Sequence, residues 1–119
     1  MGMMIKKKYG LQFEKITDKE FDYISYSCSP TPSIPGSGFL ALLLEMVSDE
    51  EPEFLLEEID AALNEKEFEE YYFPNNAQGN NGVHISPPNA IIKEAFALPL
   101  TELKRLLEEW ILLMLRPTL

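Results

Sequence analysis

Residues able to do chemistry are scarce in this chain: one histidine, one cysteine and one tryptophan among 119 residues. A nucleophilic Cys–His pair could be built only from Cys28 and His84, and neither sits in a family-specific nucleophile signature. His84 alternates with Val83 and Ile85, so on a strand it faces opposite them and reads as a sheet histidine rather than a general base. Cys28 precedes a proline loop and reads as a semi-buried, inert thiol. "PGSG" puts two glycines near a helix start but lacks the Gly-Lys-Ser/Thr ending of a phosphate loop. The acids do not follow calcium-loop spacing, and no His or Cys cluster suits zinc. Carboxylate pairs for glycoside chemistry could be nominated at will among so many acids, which deprives any one pair of weight. These residues predict no catalytic side chain, no metal, no cofactor and no enzyme.

The carboxylates themselves are unevenly placed. Residues 45–72 hold twelve of the 20 acids and a single base, Lys66, so this stretch carries −11 against −10 for the whole chain. Asp49, Glu50, Glu51 and Glu53 surround the start of a predicted helix, where negative charge complements the dipole. The rest lacks that excuse. Glu53 stands four residues before Glu57, and Glu57 three before Asp60, both repulsive spacings. Positions four after Glu57, Glu58 and Asp60 are Ala61, Ala62 and Asn64, so no ion pair forms along the helix. In the last helix, by contrast, Glu102–Arg105, Lys104–Glu108 and Arg105–Glu109 interleave both signs as a solvated surface does. A self-repelling face is relieved by a cationic partner. Glu53, Glu57, Asp60, Glu67, Glu69 and Glu70 are therefore the predicted binding acids. Tyr71 and Tyr72 beside them are the predicted central contacts, since tyrosine is enriched among hot spots.

The elements that must position these residues follow from pattern. "MIKKKYGLQFEKI" reads as extended, with a turn or bulge at Gly10. "EFDYISYSC" (20–28) reads as a strand, although Thr17-Asp18-Lys19-Glu20 also fits a helix capping box. "SPTPSIPGSG" (29–38) is a rigid loop, with Ser37 placed to cap the helix "FLALLLEMV", apolar nearly all round. Ser48 and Asp49 end it, and Pro52 suits the first turn of the next helix. That helix, 52–65, turns Leu55, Leu56, Ile59, Ala62 and Leu63 to one face and its acids to the other. "EFEEYYF" (67–73) reads as a strand, "NNAQGNNG" (75–82) as a polar loop with an Asn-Gly turn, and "VHIS" with "AIIKEAF" as a hairpin. A long helix closes the chain from about Leu100 to Leu115, with Leu103, Leu106, Leu107, Trp110 and Met114 on one stripe. The expected fold is a single α+β domain: an antiparallel sheet, a central helical pair and a long C-terminal helix.

Composition narrows the setting. At 119 residues with 13 aromatics, the chain can bury one ordinary core. A single cysteine fits a reducing compartment, and no secretory signal or bilayer-spanning run is visible, so a cytoplasmic protein without a membrane partner is expected. An acidic chain is repelled by phosphate backbones, which argues against direct nucleic-acid binding.

The order "PGSGFLALLLE", "EFLLEEIDAAL", an Asn/Gly-rich turn, "VHISPPNAII" and "LPLTELKRLLEEWILLML" resembles small bacterial immunity proteins of polymorphic-toxin and contact-dependent growth inhibition systems. The likeness spans residues 20 to 116. It implies an inhibitor that binds the C-terminal domain of a cognate toxin, often a nuclease with a basic surface, and blocks it. No catalytic residue comes with the resemblance, and the acidic positions rest on the charge argument alone. The other reading is an adaptor or subunit of a larger assembly, docking through "WILLML".

Overall fold

A computed structural model of the chain describes residues 5–20, 23–47, 52–72 and 82–115. The architecture is α+β, with helices set against antiparallel strands. The strands divide into two sheets, a two-stranded hairpin and a four-stranded meander.

The N-terminal segment is extended only from Gln12, after the expected turn at Gly10. Ile5–Lys8 forms a single helical turn, α1, that closes on Gly10 in the left-handed region (φ 66°). Leu11 N–H bonds Lys6 O at 2.8 Å and Gly10 N–H bonds Lys7 O at 3.1 Å, the paired return of a Schellman cap. The turn persists because a distant helix holds it, as described below. β1 (Gln12–Asp18) and β2 (Tyr23–Ser29) then pair in register from Gln12↔Ser29 to Asp18↔Tyr23. Asp18 belongs to the strand, which excludes the competing helix at Thr17.

Two helices follow, α2 (Ser37–Val47) and α3 (Pro52–Leu63), the expected central pair. Ser37 does not act as a cap. It is the first helical residue, fully buried, and its Oγ accepts the Thr31 N–H at 2.8 Å, pinning the proline loop to the helix. Gly36 before it has φ 81°, and a Cβ there would meet the Phe96 ring at 2.2 Å, so the loop closes only on glycine. Pro52 opens α3, as its missing N–H allows.

The strand expected over 67–73 is confined, among the described residues, to β3 (Tyr71–Tyr72). Its partner β4 (Val83–Ser86) turns back through β5 (Asn89–Ile92) to β6 (Phe96–Pro99), in the order β3-β4-β5-β6. The predicted hairpin about Pro87–Pro88 is β4–β5, with Ser86↔Asn89 as its last pair, but "AIIKEAF" is not one strand: left-handed Lys93 and Glu94 turn it from β5 into β6. Of the polar loop 75–82, all but Gly82 lies outside the described residues.

The helix α4 runs Leu100–Leu115, as its apolar stripe requires. Leu100, Leu103, Leu106, Leu107 and Trp110 are all completely buried in one core shared with α2, α3 and the meander. Trp110 meets the hairpin edge-on, 4.9 Å from the Phe13 ring and 6.4 Å from Tyr26. Among the described residues, no helix is long and apolar enough to cross a membrane.

Candidate partner-binding surface

Helix α3 buries Leu55, Ile59 and Ala62 and leaves Glu53 and Glu57 exposed on the opposite side. Glu58, at the margin, is half-buried for a reason: its Oε2 accepts the Glu69 N–H at 2.6 Å. That bond draws the segment after α3 back across the helix. Glu58, Glu67, Phe68 and Glu69 thus line one shallow, solvent-open depression. Phe68 packs inward against the core and anchors the segment, so the acids on either side face out.

The chain continues from this depression into β3. Glu70 Oε1 lies 2.9 Å from His84 Nε2, and its carbonyl accepts the Ile85 N–H at 2.7 Å. Tyr71 stacks on the His84 ring at 4.4 Å, nearly parallel at 12°. Pairing places Tyr71, His84, Ile91 and Ala97 in one row on the outward face of the meander. Tyr72 points the other way, half-buried against the core.

The predicted residues thus lie on α3, on the segment that follows it and on β3. Glu53, Glu57, Glu67 and Glu69 are exposed, and among the described residues none has an ion pair. Two predicted acids are not the unpaired groups the sequence suggested. Asp60 lies on the flank of α3 that meets α4, 2.8 Å from Lys104 Nζ. Glu70 is engaged by His84. Tyr71 remains accessible, whereas Tyr72 serves the core.

Phe54 is the residue that helical patterning passed over. It is 55% exposed, and its neighbours one turn on are Glu57 and Glu58. A large apolar side chain on the polar face was the available signal.

Two acids of α4 are spent inside the molecule. Glu102 takes Lys8 and the Tyr9 hydroxyl, and these hold its carboxyl below the usual carboxylate range. Glu109 accepts the N–H groups of Ile5 and Lys6 at 2.8 and 2.9 Å, capping α1 from α4. Long-range pairs are added to the interleaving of charge expected along α4: Lys104 goes to Asp60 and Glu102 to Lys8, while Arg105 still acts on Glu102 and Glu108 on Lys104.

Cys28 is 3% exposed, and burial together with Glu45 pushes its thiol up to about 12. It lies in the hairpin and His84 in the meander, on different sheets. Among the described residues, no three His, Cys, Asp or Glu side chains converge as metal ligands.

No family model matches the chain, and neither a curated protein nor a solved structure matches it.

Proposed function

We propose that this protein is an immunity protein. It neutralises a cognate toxin domain, a nuclease, by laying the acidic surface of α3 and residues 66–70 over the toxin's basic nucleic-acid surface. The observation carrying this reading is that Glu53, Glu57, Glu67 and Glu69 are all exposed and without ion pairs among the described residues. Two separate segments supply these acids, and the Glu58–Glu69 bond ties the second segment to the margin of α3. Glu53 complements the start of α3, but Glu57, Glu67 and Glu69 have no such role, and a cationic partner would convert their repulsion into steering and affinity. Phe54 gives the acids an apolar centre, the arrangement in which a desolvated aromatic anchor is ringed by polar contacts. Inhibition then needs occupation alone, with no chemistry by the inhibitor.

The adaptor reading has less support. Within "WILLML", Trp110 is buried and Leu113 and Met114 pack against the core, while Leu112 is exposed.

The test is binding of the chain to the basic toxin domain encoded beside it, with protection of cells expressing that domain. A variant carrying Glu57→Lys, Glu67→Lys and Glu69→Lys should lose at least tenfold in affinity while its thermal midpoint stays level or rises. Wild-type affinity in that variant would remove the acidic surface from the interface. Failure of the native chain to bind or protect would remove the immunity reading itself.

A further inference from the structure

A second surface lies between the proline loop, α2 and the β5–β6 turn. Pro30, Pro32 and Pro35 form one wall of an open groove of about 460 Å³. Phe39, Leu42 and Met46 continue it along α2. Their spacing of three and four makes one helical ridge, roughly 10 Å long over two turns. The floor is firm, because Phe39 stacks on Phe96 at 6.5 Å with the rings 5° from parallel. Leu42 is 42% exposed on this ridge.

Two features of the groove cost the fold something that the fold does not need. Gly38 sits in the first turn of α2, and a Cβ there would meet nothing within 4 Å. Neither space nor backbone demands glycine, which is a poorer helix residue than alanine. Its effect is to leave the groove open. At the other side, Lys93 and Glu94 both adopt left-handed conformations, with φ of 54° and 57°, in the turn closed by Ala95 N–H on Ile92 O at 2.9 Å. Asn-Gly would form such a turn with less strain. Strain retained against an easy remedy is a mark of functional positions.

That turn delivers Lys93 to the groove, where it is the one charged residue lining it. In a chain with 20 acids, no carboxylate among the described residues pairs with it. An apolar ridge beside an unpaired cation complements an apolar surface that carries a negative charge. The ridge has helical spacing and lies open to solvent, so the matching shape is another helix.

We propose that this groove receives an amphipathic helix of a second protein, apolar side chains on the Phe39–Leu42–Met46 ridge and a neighbouring carboxylate on Lys93. This site is independent of the acidic surface of α3 and opposite to it in charge preference.

A displayed library of 16-residue helical peptides, selected on the native chain and counter-selected on Gly38→Leu, tests the proposal. Enriched peptides should carry apolar residues at i, i+3 or i+4 and i+7, with an Asp or Glu beside them. By fluorescence anisotropy they should lose at least tenfold in affinity on Gly38→Leu and on Lys93→Glu. The paired change Lys93→Asn with Glu94→Gly should raise the thermal midpoint and still weaken the peptide, an outcome no structural role predicts. If Gly38→Leu fails to fold, Leu42→Glu blocks the same ridge from an exposed position. The triple lysine variant of the acidic surface should bind the peptide within twofold of the native chain, keeping the two sites' outcomes apart. Peptides that bind Gly38→Leu as well as the native chain, or that select no acidic residue, overturn the proposal. So does a library that yields no peptide. Amide shifts at Leu42 and Lys93 on adding dodecanoate would then assign the groove to an acyl ligand.

Discussion

Glu65 occupies a position where the backbone asks for glycine. The end of α3 repeats the closure of α1: Lys66 N–H returns to Ala61 O at 2.8 Å and Glu65 N–H to Ala62 O at 3.3 Å. In α1 the left-handed residue of this motif is Gly10; in α3 it is Glu65, with φ 57°. A side chain there is strained, and a carboxylate at a helix C-terminus also opposes the dipole. Glu65→Gly should therefore raise stability by about 0.5–1 kcal/mol, the strain relieved less the entropy glycine adds to the unfolded chain. Urea midpoints measure this directly, and an unchanged or lowered midpoint would mean that Glu65 makes a compensating contact. A second residue-scale expectation concerns Cys28. With the thiol buried and pushed up to about 12, almost no thiolate is present at pH 8. Labelling by a disulfide reagent should track global unfolding, slow in buffer and fast in denaturant. Rapid native labelling would contradict its burial.

Among the elements, α4 does the most organising, and it works through groups far apart in sequence. Glu102 and Glu109 are seven residues apart and return to nearly the same side of the helix, where both hold α1. The Lys8 ammonium and the Tyr9 hydroxyl favour the ionised form of Glu102 and lower it from an ordinary value of 4.5. A carboxyl lowered in the folded state contributes stability that is fully present above its unfolded value and is lost as pH falls through the folded one. Glu102→Gln should thus destabilise the protein at pH 7, and the gap to the native chain should close below about pH 4.5. Denaturant midpoints followed downward from pH 7 decide it; a gap that does not begin to narrow below about pH 4.5 would assign the loss to packing. What could be read from sequence follows the same division. Helices α3 and α4 were legible because burial on one face writes itself at a 3.6-residue period, and Trp110 falls on that stripe. The helical turn at Ile5–Lys8 was not, since its cap is Glu109, over a hundred residues away. Nor was the late start of β3, because the Glu58–Glu69 bond commits the preceding residues to α3 before pairing begins. The acidic surface was legible as composition, but its membership was tertiary. Asp60 left it by meeting Lys104, and Phe54 joined it from the polar face of α3.

Across the whole molecule, charge is sorted by where the helices flank α4. Lys104, which pairs with Asp60 of α3, lies about 200° round α4 from Glu102, which pairs with Lys8 of α1. The lysines of α1 and the acids of α3 therefore sit on opposite flanks of the same helix. The acids of α3 are thus set apart from the lysines of α1, and the acidic flank should lead when a basic partner approaches. Local steering and net attraction can be told apart kinetically. Glu57→Lys and Lys7→Glu change net charge by equal amounts and opposite sign, one on each flank. If the acidic surface steers, Glu57→Lys should slow association with the basic partner several-fold and flatten its dependence on salt. Lys7→Glu should leave the rate nearly unchanged, being further from the contact than the screening length of about 8 Å at physiological ionic strength. Phe54→Ala should do the reverse, sparing association and speeding dissociation, because an uncharged anchor acts after contact is made. Stopped-flow binding at several salt concentrations measures all three. Equal and opposite rate changes from Glu57→Lys and Lys7→Glu would mean that net charge alone attracts the partner and that the placement of the acids on α3 has no kinetic role.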